Sequence, residues 1–298
     1  MLTILEAAKL NPSPLVSGVV EIFARENPVL LNLPFETING PAYVYNREGT
    51  LPGIAFRGIN ESYTESTGII NPATEPLKIM GGESDYDTFL VKTGVSDNNA
   101  RAIHDGLKSK ALALRWMKTF FDGDADTAPR EFDGLNKRLT GGQVVDMGAA
   151  TLTLAKVDEM IDAVQGAPSI LLMNKQCRRK ITQLATNTLA VTMGIDQLGR
   201  PMQMYGGIPI GIVEFDDLGQ WVLDFDEDDG AGHANTCSMY ALRLGMDTFH
   251  GIQSAPIDVR DLGELNSKPA FRTRIEWFAA MAIKHPRAAA RLQHIKAG

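Results

Sequence analysis

The chain has 298 residues, 44% hydrophobic and 22% charged, with a formal charge of −7 and a pI near 5.3. That is an ordinary globular composition, enough for one large domain or two modest ones. The acidic balance argues against a dedicated nucleic-acid binder, and no stretch reaches the ~20 apolar residues of a membrane span.

Residues 1–32 read as an N-terminal arm. Met1–Leu10 lacks the basic leader of a secretory signal, so cytosolic synthesis is expected. Ser13 and Pro14 suit the cap and first position of a short helix with Leu15, Val19, Ile22 and Phe23 on one face, ended by Asn27-Pro28.

Residues 33–93 read as one long β-hairpin. Its outgoing strands are expected at Ala42–Arg47 and Gly53–Arg57, its returning strands at Leu77–Met80 and Thr88–Val91. Between them lies a polar, turn-rich tip carrying Gly58, Asn60, Glu61, Tyr63, Glu65 and Gly68. A two-stranded ribbon is marginally stable alone, and this one has few apolar residues. It either lies on its own domain or is supported by a neighbouring subunit.

Residues 94–165 open with a long helix, Asp97–Phe121, roughly 35 Å from end to end. Ile103, Leu107, Ala111, Leu114, Met117 and Phe121 recur at steps of three and four and form its expected inner stripe. His104, Lys108, Arg115 and Lys118 fall on another side as a basic face, either simply solvated or functional. An acidic bend at Asp122, Asp124 and Asp126 and a second helix, Leu152–Val164, follow.

Residues 166–236 carry an expected strand at Ser169–Met173, a helix at Lys175–Asn187, and strands at Ile208–Phe215 and Trp221–Phe225. Residues 237–298 add strands at Ser238–Leu244 and Arg272–Ile283 and a last short helix at Pro286–Leu292. Helices and strands in mixed order, without a βαβ rhythm, give an α+β fold class.

No catalytic motif is present: there is no nucleophile elbow, phosphate-binding lysine loop, dinucleotide fingerprint or H-E-x-x-H. The five histidines, His104, His233, His250, His285 and His294, lack ligand spacing. Cys177 and Cys237 are too few for a disulfide framework or a zinc site. Asp224, Asp226, Asp228 and Gly230 resemble a calcium loop. However, Asp229 occupies the glycine position and Asn235 the place of the bidentate glutamate, so a solvated acidic turn is expected. No catalytic, cofactor or metal residue is therefore expected, although a soluble hydrolase using this loop is a rival class. Lys284, His285, Arg287, Arg291, His294 and Lys296 make a basic end, read as a charged tail or a weak phosphate-facing patch.

Two late stretches carry a family resemblance. Asp196-Gln197-Leu198-Gly199-Arg200-Pro201 followed by Tyr205-Gly206-Gly207-Ile208-Pro209-Ile210 resembles a turn and strand of the axial domain of tailed-bacteriophage major capsid proteins with the Hong-Kong-97-type coat fold. Arg274–Phe278 and Lys284–Leu292 resemble that family's closing strand and terminal helix. The order of arm, hairpin, spine helix, peripheral and axial domains matches across nearly the whole chain.

The resemblance implies a structural, non-enzymatic coat protein that self-assembles as hexamers and pentamers of an icosahedral virion capsid around double-stranded DNA, with an encapsulin-type compartment shell as the alternative. It implies a separate scaffolding protein, a portal, a possible decoration protein, non-specific contact with DNA and no membrane partner. In it, residues 58–68 reach a neighbouring subunit and the basic spine face looks toward the genome or scaffold. Lys78 is the only lysine between Leu33 and Val91 and lies away from the tip, so no lysine cross-link is expected.

Overall fold

The computed structural model describes residues 27–50, 52–89, 97–186, 190–195, 199, 201–228, 232 and 235–296. The expected arm helix and most of the Asp196–Arg200 turn lie outside these residues.

The described chain opens with α1 (Pro28–Asn32), β1 (Phe35–Thr37), β2 (Ala42–Thr50), β3 (Ile69–Pro76) and β4 (Lys78–Asp87). The spine is α2 (Asp97–Asp122), followed by α3 (Leu135–Arg138), β5 (Val144–Asp146), α4 (Leu154–Ala163), β6 (Ile170–Met173) and α5 (Lys175–Leu184). After α5 the strands take over: β7 (Val191–Ile195), β8 (Pro201–Tyr205), β9 (Ile208–Ile212), β10 (Thr236–Leu242), β11 (Phe249–Gln253), β12 (Asp258–Glu264), β13 (Ala270–Ile283) and β14 (Ala289–Lys296).

Two sheets carry the body. In the first, β13 pairs with β4 along one edge and with β12 and β11 along the other, and β1 adds parallel to β11. The second is seven-stranded, in the order β5-β14-β10-β6-β9-β8-β7. Alternation along its central strands divides two cores. Ile170, Leu172, Tyr240 and Leu242 face the first, and Leu171, Met173, Met239 and Ala241 face the second. Strands buried on both faces must be apolar throughout, and β6 and β10 are buried at every residue.

The first core is aromatic and is built around α2. Trp116 lies 6.1 Å from Phe35, 5.9 Å from Trp277 and 6.2 Å from Phe132, and Phe120 stacks on Phe249 at 5.6 Å. Each such ring removes about 150–250 Å² from water, so these rings set the rotation of the helix. The expected inner stripe is therefore corrected. Asp105, Ser109, Leu112, Ala113, Trp116, Met117, Phe120 and Phe121 face inward, while Ile103 and Leu107 are 58% and 59% exposed.

Further expectations change. Gly53–Arg57 forms no strand, because Pro52 cannot donate to a ladder and the pairing has already slipped at Glu48/Thr50. The returning hairpin strand is β3, and Leu77–Met80 belongs largely to β4, which pairs with β13 over Lys78–Asp87. Thr88 and Phe89 form a helical turn, while Leu90 and Val91 lie outside the described residues. At the C-terminus, Pro286–Leu292 is expected as helix. Instead, β14 sits between β10 and β5 with Ala289 and Ala290 buried, so sheet pairing on both sides overrides the local preference. Around Trp221 there is a single bridge to Phe215 rather than a strand reaching Phe225.

Candidate assembly surface

The β2–β3 ribbon is pinned at its root. The Arg47 Nε and Nη2 atoms donate to the Ile283 carbonyl at 3.1 and 3.0 Å, and the Tyr45 hydroxyl donates to the same oxygen at 3.0 Å. On the other strand the Glu75 carboxylate takes both arms of Arg138 at 2.5 and 2.7 Å, a bidentate geometry that lysine could not supply.

Beneath the root, Tyr43 meets the buried His250 edge-on at 5.7 Å, and Lys284 Nζ sits 5.4 Å above the Tyr43 ring. His250 Nε2 is 3.1 Å from the Glu36 carboxylate. Burial, then the Lys284 charge, push the imidazole down to about 4 against the pull of Glu36, so His250 is neutral at pH 7.

The tip has no such anchors. Within it the Glu61 carboxylate accepts from the Gly58 N–H at 2.8 Å, Arg57 donates to the Glu61 carbonyl at 3.2 Å, and Arg57 lies 5.3 Å over the Tyr63 ring. Asn60 takes a left-handed backbone, φ 69°, which asparagine tolerates. The expected tip residues Gly58, Asn60, Glu61, Tyr63, Glu65 and Gly68 are all exposed. Apolar residues at and just before the tip carry the larger signal: Ile54, Phe56 and Ile59 are 96%, 107% and 94% exposed. Reading 53–57 as a paired strand hides Ile54 and Phe56. The available clue is two apolar residues in a ribbon that has no core to receive them.

The four basic residues of the spine share a side but not a role. The His104 ring lies 5.9 Å from Tyr86 of β4. The Lys108 stem crosses Gly82, where a Cβ would come within 3.0 Å of the lysine Cε. Arg115 pairs with Glu131 at 2.7 Å, and Lys118 pairs with the buried Asp216 at 2.8 Å. Two of the four charges are thus met by acids of the same chain.

On the outer face of the first sheet, Arg272 and Arg274 bridge to Glu83 at 2.6 and 2.5 Å, and Arg260 bridges to Asp258 at 2.7 Å and also pairs with Glu276. Arg272 and Lys268 hold the Asp85 carboxyl well below the usual carboxylate range. Next to this ladder, Ile79 and Phe278 are partners in register, and both are exposed. No group of three or more His, Cys, Asp or Glu suited to a metal occurs among the described residues, and the Asp224 carboxylate accepts from the Phe225 N–H at 2.7 Å. In the basic end, Arg291 pairs with Glu227 at 3.1 Å and His294 with Asp146 at 3.0 Å.

The body and its projecting ribbon match known shells. The structure superposes on the holo-SrpI encapsulin complex from Synechococcus elongatus PCC 7942 with a TM-score of 0.65 at 15% identity, covering 89% of this chain and 86% of that one. It also matches the capsid of a native GTA particle (TM-score 0.62, 15% identity, 92% and 90% covered) and a chain of Mycobacterium phage Bobi (TM-score 0.62, 12% identity, 91% of each covered). No curated protein matches the sequence. Residues 11–155 match the family described as major capsid protein GP7. The fold is the Hong-Kong-97-type coat fold. In this fold the ribbon tip and the outer sheet face are the exposed surfaces described above.

Proposed function

We propose that the chain is a major capsid protein that builds the closed icosahedral head of a tailed phage, as hexamers and pentamers around double-stranded DNA, and that residues 58–68 are the element by which one copy holds the next. The observation that carries this is the tip: Ile54, Phe56 and Ile59 stand in water on a ribbon that contributes no core of its own. Obligate interfaces bury about 2,000–5,000 Å², and a closed shell engages many modest contacts at once. A second copy covering the tip meets both conditions.

The same reading places synthesis in a host cytoplasm and the finished chain in the virion, and gives it a structural role with no catalysis of its own. It includes a separate scaffolding protein, a portal, a possible decoration protein and non-specific contact with DNA. On the spine, any contact with DNA or an acidic scaffold falls chiefly to Lys108 and His104, because Arg115 and Lys118 are already paired. The likeness to the SrpI encapsulin favours one other reading, a shell that encloses protein cargo. Electron microscopy of particles and analysis of their contents separates nucleic acid from protein cargo.

The direct test replaces residues 58–68 by a two-residue Asn-Gly turn. Circular dichroism is expected to match the parent while sedimentation shows loss of complete shells. Normal shells from this variant would overturn the inter-subunit role of the tip.

A further inference from the structure

Cys177 lies in the first turn of α5, where its N–H donates to the Asn174 side chain at 2.8 Å, and Cys237 lies in β10. The two stand 60 positions apart in sequence, yet their sulfurs are 3.3 Å apart in the second core, and both residues are buried. A disulfide requires the sulfurs to close to about 2.05 Å, a movement of little more than an ångström.

A fully sealed thiol pair would be inert. This one is not sealed. A cavity of about 350 Å³ opens onto Cys177, with Gln176, Arg179, Lys180, Phe225, Ile295 and Lys296 around it. That falls within the ~300–1,000 Å³ range of small-molecule pockets. Arg179, Lys180, Lys296 and the N-terminus of α5 make its approach electropositive, which suits an anionic reagent. Cys237 does not line the cavity and lies behind Cys177.

We propose that Cys177 and Cys237 are a redox modification site, an intrachain disulfide that closes when the folded chain meets a low-molecular-weight, carboxylate-bearing disulfide of the glutathione class. The Cys177 thiolate attacks one sulfur of the reagent, forming a mixed disulfide and releasing the first reagent thiolate. Cys237 then gives up its proton and attacks the Cys177 sulfur, displacing the second. Both leaving thiolates take up the protons lost by the protein. The protein pair is oxidised by two electrons, and one reagent disulfide is reduced to two thiols. The hydrogen bond it shares with Cys177, together with burial, pushes the Cys237 thiol well up from its ordinary range, so Cys237, which does not line the cavity, is the second to react. The chemistry of the bridge is independent of the assembly reading. Its timing, on leaving a reducing host for an oxidising exterior, rests on that reading.

The test equilibrates the purified full-length chain in mixtures of oxidised and reduced glutathione, quenches with acid, alkylates under denaturing conditions and measures the intact mass. Expected are protection of both thiols, a mass lower by two hydrogens, no cross-linked dimer, and a Tm about 5–10 °C higher than in reducing buffer. Cys237→Ser is expected to trap glutathione on Cys177, whereas Cys177→Ser leaves Cys237 unmodified. Thiols that stay alkylatable in oxidised buffer, or bridges that form only between chains, overturn the proposal. Modification of Cys237 in the Cys177→Ser variant overturns the order of attack. If either serine variant fails to fold, the parent's mass and its redox-dependent Tm still decide the matter.

Discussion

The root and the tip of the β2–β3 ribbon are little more than a dozen residues apart in sequence and obey opposite rules. At the root four long side chains find partners: Tyr45 and Arg47 on the Ile283 carbonyl, Glu75 on Arg138, and Tyr43 against His250. At the tip the polar groups satisfy one another locally and the apolar side chains face water. The root is therefore stabilised by the subunit itself, whereas the burial that would stabilise the tip has to come from outside it. On the proposed assembly reading the ribbon is a lever, with its fulcrum in one subunit and its working end in the next.

The contrast breaks most severely if the floor of the root is removed. Trp116→Ala empties the centre of the aromatic core, between Phe35, Phe132 and Trp277. It is expected to cost about 3–5 kcal/mol of folding stability. Denaturant unfolding of the unassembled chain checks this, and a loss below about 1 kcal/mol would mean that the root does not depend on this core.

Acid probes the root more gently. The folded pKa of His250, about 4, lies below the ordinary 6.5, so the unfolded chain binds the proton first as pH falls. Stability contributed by neutral His250 is thus complete above pH ~6.5 and is lost progressively down to about 4, by up to ~3 kcal/mol. Asp122, pushed up to about 6 by desolvation against the pull of Lys118, titrates with the opposite sign in part of this range. The difference between the parent and His250→Gln isolates the histidine. Parallel curves of Tm against pH for the two proteins would remove His250 from the account.

The smallest effect on the fold is expected at the tip. Phe56→Ser should change subunit stability by no more than about 0.5 kcal/mol, because the ring is already in water. It should nonetheless weaken assembly, raising the protein concentration needed for shells to sediment. Equal stability with unchanged assembly would leave the tip a passive loop.

Much of this was determined locally. The start of the spine helix, α4, β6, α5 and β13 follow from hydrophobic periodicity and capping residues, which act over a few positions and need no distant partner. Of the ribbon, the outgoing strand was legible, but the returning strand β3 was not, because which run pairs with β2 depends on β4 being taken up by β13. Tertiary structure alone decided which way the spine helix turns. Ile103 and Leu107 fit an inner stripe by spacing, but Trp116 and Phe120 bury more area and rotate them outward. It also decided that Ala289–Lys296 is a strand, since the hydrogen bonds of β10 and β5 on either side outweigh the helix preference of alanine. The pairing of Lys118 with Asp216 and the meeting of Cys177 with Cys237 join residues 98 and 60 positions apart. Neither is encoded in any local pattern, because a side chain's partner depends on how whole elements pack, and that is set by the sum of all buried contacts.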